Sequence, residues 1–127
     1  MLNKETTNKS INWILIAGLF GFTGVAIGAF GAHILSDKLS EKMFEVYKTG
    51  VFYHLIHTVV IAVIAFYSNK KFNLSAIFFS IGIILFSFSL YLYSITGLIF
   101  FAMITPLGGI SFLLGWITLM WKAISKK

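Results

Sequence analysis

Four long apolar runs, at about residues 11–32, 51–67, 72–93 and 98–121, take up most of a chain of 127 residues. A helix rises about 1.5 Å per residue and the hydrocarbon core of a bilayer is about 30 Å thick, so runs of this length can cross a membrane. In lipid every backbone amide must be satisfied within its own segment, which leaves helices as the spanning form for such runs. The expectation is an all-α membrane protein with four transmembrane helices in an up-down bundle, forming one integral membrane domain over residues 1–127. Composition agrees: 58% of the residues are hydrophobic and 11% charged, which leaves little chain for a soluble domain. A cleaved signal peptide, suggested by small residues at Ala29 and Gly31, fits less well because the first run exceeds a normal signal core and its glycines suit helix packing.

Several chemistries are excluded or weakened at once. There is no cysteine, so disulfides, thiolate nucleophiles and cysteine-ligated metals or clusters are ruled out. The basic residues are all lysine, which argues against nucleic acid or bidentate phosphate recognition by arginine. All four acids, Glu5, Asp37, Glu41 and Glu45, lie outside the apolar runs, so no span carries a carboxylate for acid–base chemistry or proton coupling. The serines of the spans have no acid to orient a histidine beside them.

Seven of the ten lysines fall in the N-terminal tail, the turn near residue 70 and the C-terminal end, against three between the first two runs. By the positive-inside rule this places both termini in the cytoplasm of a multi-pass plasma-membrane protein. The lysines there suit anionic lipid headgroups, so the lipid bilayer is the first expected partner, with a homo-oligomer or another membrane protein as further partners. Between runs one and two, "LSDKLSEKMFEVYKTG" reads as a short amphipathic interfacial helix at about residues 36–48, capped by Ser36 with Asp37 in its first turn.

The first span carries small residues three or four apart. Gly21, Gly24, Gly28 and Gly31 form a seam containing a GxxxG pair, and Gly108, Gly109 and Gly115 repeat the device in the fourth. Such seams let helix backbones approach closely. The expectation is that spans one and four pack on each other through them. Pro106 predicts a kink or break in the fourth helix.

His33, Tyr53, His54 and His57 form the candidate polar site. An ionisable side chain in a span is a functional candidate by default. Three converging imidazoles, His33, His54 and His57, could ligate zinc, copper or haem iron. The simpler reading, and the leading one, is a structural network of neutral histidines bonded to carbonyls, Thr58 or tyrosines, with no cofactor and no catalytic residue.

"GAFGAHIL" at 28–35, "YKTGVFYHLIH" at 47–57, "TPLGG" at 105–109 and "GW" at 115–116 together resemble the small four-helix membrane proteins grouped as domain of unknown function 423, which includes the transmembrane protein 256 group. The resemblance implies a bacterial-type plasma-membrane protein, and marks Gly28, Gly31, His33, Tyr53, His57, Pro106, Gly108, Gly109 and Trp116 as the positions to watch. It supplies no activity. The functional expectation is therefore a non-enzymatic structural, lipid- or partner-binding protein contributing to membrane or envelope integrity. The alternatives are a small transporter or channel component, or a histidine-ligated metal or haem protein.

Overall fold

The computed structural model describes residues 10–126; Lys4, Glu5, Lys9 and Lys127 lie outside them. The chain folds into four long apolar helices, α1 (Trp13–Leu35), α2 (Glu41–Tyr67), α3 (Lys70–Thr96) and α4 (Ile99–Ile124), each long enough to span a bilayer. Asn12 caps α1 by accepting the Leu15 N–H at 3.0 Å. The turns between α2 and α3 and between α3 and α4 are tight, each beginning at a left-handed residue. Ser68 has φ 58° and Gly97 φ 71°, a conformation for which glycine is the natural choice.

The segment read as a separate interfacial helix is instead the start of α2. Ser36 does not cap it; its hydroxyl donates back to the Ala32 carbonyl at 3.0 Å and ties off the end of α1. Ser40, with an extended backbone, is the cap, accepting the Met43 N–H at 3.2 Å with Glu41 in the first turn. The helix then runs without a break through Thr49 and Gly50. At about 40 Å it exceeds the hydrocarbon thickness, so its charged first turns extend into the headgroup zone. There Glu45 and Lys48 form an ion pair.

α4 is likewise continuous through Pro106. The residue lacks the N–H that would bond Ala102, yet the helix runs on, and two residues later Gly108 sits directly against the α3 backbone. A Cβ on Gly108 would come to 2.7 Å of the Leu85 carbonyl carbon and the Phe86 Cα.

The seams do not join spans one and four. α1 rests on α2, where Cβ atoms on Gly24 and Gly28 would meet Leu55 at 2.6 Å and Val51 at 3.2 Å, and Gly31 faces the Tyr47 ring. α4 rests on α3, with Gly115 against Phe79. Gly21 and Gly109 make only ordinary contacts with Thr58 and Phe86. The spacing of small residues tells where a backbone can approach, and says nothing of which one does. α2 and α3 form the centre, with α1 and α4 on opposite flanks.

Two turns are wider than α-helical, Gly31–Leu35 at the end of α1 and Ile83–Ser87 within α3, where the Phe88 N–H reaches back to the Ile83 carbonyl. Hydrogen bonds between side chains join α3 to α4 at two levels: Ser75 with Thr118 at 3.0 Å and Ser89 with Thr105 at 2.7 Å. Ser111 adds a third tie, donating to the Phe78 carbonyl at 2.7 Å. The largest buried cluster contains Ile61, Ile64, Phe79, Ile83 and Phe112, and a smaller one Leu35, Tyr47 and Tyr91.

Candidate functional site

α2 carries both spanning histidines, but they face different neighbours. His54 is fully buried between α1 and α3. Its Nε2 lies 2.9 Å from the Phe20 carbonyl of α1, and its Nδ1 2.9 Å from the Tyr91 hydroxyl of α3. A carbonyl only accepts, so Nε2 carries the proton and Tyr91 donates to Nδ1. Thr23 stands at 3.4 Å from Nε2 with its own hydroxyl turned to the Leu19 and Phe20 carbonyls. One neutral imidazole thus joins three helices.

His57, one turn along, is the mirror case. Its Nδ1 donates to the Tyr53 carbonyl at 2.8 Å, which leaves Nε2 to accept the Trp116 indole N–H at 3.2 Å. Its ring stacks on Phe112 with centroids 3.8 Å apart, and Phe79 closes another side. The tautomers of the two histidines are opposite, each set by a main-chain carbonyl.

Two tyrosines that the sequence reading did not single out as site residues complete the arrangement. Tyr47 donates to the Ile27 carbonyl of α1 at 2.5 Å, and its ring lies 5.3 Å from that of Tyr91. Gly50 makes room for this group, since a Cβ there would stand 2.7 Å from the Tyr91 ring and 3.2 Å from the Ser87 carbonyl. The signal for Tyr47 was its place on the apolar side of the amphipathic segment. Tyr91 gave none, in a run where aromatic residues are everywhere. Ser87, in the wide turn of α3, is buried with its hydroxyl unpartnered among the described residues.

The structure does not bring the three histidines together. His33 is exposed at the end of α1, and among the described residues no three His, Asp or Glu side chains converge as a metal site would need. His54 and His57 have both ring nitrogens committed within the bundle, so neither offers a lone pair to a metal without breaking a bond. Tyr53 is partly exposed and packs its ring 4.7 Å from that of Phe86. It borders an open apolar groove of about 450 Å³ shared with His57, Pro106, Gly109 and Trp116. Trp13, the first residue of α1, is buried and donates its indole N–H to Asn73 at 3.1 Å.

Residues 27–109 match the family described as protein of unknown function (DUF423). The chain is 36% identical over 117 residues to the UPF0382 membrane protein YwdK of Bacillus subtilis, covering 88% of this chain and 95% of that protein. It is 36% identical over 118 residues to the UPF0382 inner membrane protein YgdD of Escherichia coli K12, covering 90% of each. A UPF0382 membrane protein of Haemophilus influenzae is 38% identical over 118 residues, 91% of this chain and 95% of the relative. No solved structure matches.

Proposed function

Because the chain belongs to the DUF423 family of membrane proteins of unknown function, we propose that it acts by packing and binding within the plasma membrane, without turnover, and contributes to envelope integrity. The observation that carries this reading is the state of the two buried histidines. Each uses one ring nitrogen to donate to a carbonyl and the other to accept from Tyr91 or Trp116, so both serve as internal fasteners. A proton carrier or a ligand site needs a group with a free position, and the described helices carry carboxylates only in the first turns of α2, at headgroup level, with none deeper to share the task. The lysine bias supports an orientation with both ends of the chain in the cytoplasm.

Three experiments test the reading. Purified protein in liposomes should move protons and small ions no faster than empty liposomes, whereas flux abolished by His57→Ala would overturn it. Cells lacking the gene should admit a normally excluded dye and recover when it is restored; unchanged permeability would remove the envelope role. Single cysteines at Ser40 and Ser125, in a chain with none of its own, should react with an impermeant maleimide from outside at Ser40 alone.

A further inference from the structure

Because α1 packs mainly on α2, a fissure opens between its other flank and the first half of α3, below the point where Trp13 bonds Asn73. The fissure has two compartments. At the lysine-rich end is a polar cup of about 430 Å³ lined by Ser10, Asn12, Ser68, Asn69, Lys70 and Asn73. Below it, sharing Ile11 and Trp13 as a common wall, an apolar groove of about 400 Å³ runs between Ile16, Leu19 and Phe20 on one side and Ile77, Ile81 and Ile84 on the other.

The cup is rich in hydrogen-bond donors for a reason visible in its asparagines. Asn12 accepts the Leu15 N–H, Asn69 the Lys71 N–H and Asn73 the Trp13 indole N–H. Each partner can only donate, so in all three the bonded atom is the amide oxygen and the NH2 group is left to donate. Lys70 adds an ammonium, with no acid among the described residues that line the cup. The described acids, Asp37, Glu41 and Glu45, sit at the opposite end of the bundle, before or within the first turns of α2. Such a wall favours an anion with several acceptor oxygens.

The groove supplies the other half. From Asn73 to Ile84 the helix rises about 16 Å, close to the depth of one leaflet of the hydrocarbon core. A donor-lined cup at headgroup level opening onto an apolar slot of one leaflet's depth fits an amphiphile. We infer that the α1–α3 fissure is a binding site for an anionic phospholipid, its phosphate among Lys70 and the asparagine NH2 groups and one acyl chain between α1 and α3. The assignment deepens the reading of the protein as one that binds within the bilayer, and rests on it. It is separable from that reading, since loss of lipid binding would leave the flux result untouched.

The test uses full-length protein in a mild detergent, stripped of lipid and titrated with phosphatidylglycerol, phosphatidylcholine or inorganic phosphate, with bound lipid counted by native mass spectrometry. One phosphatidylglycerol per chain should be retained in preference to phosphatidylcholine. Lys70→Gln should weaken retention about fivefold. Ile81→Trp, at a partly exposed position that can accept the ring, should fill the groove and abolish retention, and Ile84→Trp serves if that variant does not fold. Equal retention of the two lipids, or retention unchanged in the variants, would overturn the site. Phosphate binding that depends on Lys70 and ignores Ile81→Trp would make the cup a simple anion site and overturn the lipid.

Discussion

The α1–α2 and α3–α4 pairs use the same sequence device and obtain different joints. At the α3–α4 contact, Gly108 meets main-chain atoms of Leu85 and Phe86, which cannot move aside, and serine and threonine bonds tie the helices at several levels. On the α1–α2 side, Gly24 and Gly28 meet the ends of Leu55 and Val51, which can, and Gly31 meets the buried Tyr47 ring. There the polar ties reach carbonyls of α1 from Tyr47 and His54, side chains anchored on α2. A glycine seam therefore marks proximity, and the rigidity of the joint depends on what stands opposite.

The comparison can be broken most severely at Gly108. Gly108→Leu should cost about 3 kcal/mol, as overpacking against an immovable backbone does, read as a large fall in thermal midpoint in detergent. A wild-type midpoint would show that α4 does not depend on the close approach. Gly24→Ile should cost less, about 2 kcal/mol, because its tightest neighbour, Leu55, can shift and the fixed His54 ring stands farther off, at 3.2 Å. Wild-type melting and oligomer size in that variant would remove the α1 seam from the argument. His54→Phe should follow at about 1 kcal/mol, taking the acceptor from the Tyr91 hydroxyl while the Phe20 carbonyl keeps Thr23. His57→Phe should cost about 0.6 kcal/mol, since the donor it strands, Trp116, is 37% exposed where Tyr91 is 5%; a reversal of the two in chemical denaturation would contradict that burial difference. Smallest is Gly18→Ala, where a methyl would meet nothing within 4 Å. Its midpoint should stay within the range of about 0.5 kcal/mol typical of surface changes.

The architecture was legible because span length and the absence of internal charge are properties of single segments. Lipid imposes both, and it does so helix by helix. Pairing was not legible: Gly24 and Gly28 mark where a neighbour can come close, and only the folded chain shows that α2 arrives there instead of α4. The cap of α2 moved from Ser36 to Ser40 because two serines compete and the first is used by Ala32. His54 and His57 could be named from the sequence, but their roles depend on carbonyls, and a carbonyl has no letter. Phe20 and Tyr53 hold the histidines through backbone atoms that any residue would supply. The three cup asparagines escaped notice for the opposite reason, being residues common in any turn or helix cap.

The wide turn at Ile83–Ser87 has a consequence for how α3 reads its two neighbours. Phe79, Ile83, Ser87 and Tyr91 are all buried, four residues apart. In a regular helix each step of four overshoots by about 40°, so three steps would swing the last side chain about 120° from the first. The extra residue in the turn absorbs that drift. It works as a phase correction between two gears: the half before it stays meshed with α4 at Thr118 and Gly115, and the half after it is re-indexed to bring Tyr91 onto His54. Residue count across 83–87 is therefore itself information. The same residues wound as a regular helix there would keep every side chain and still turn Tyr91 about 120° from the face that Phe79 holds, whereas a chain one residue shorter would regain that face without the wide turn.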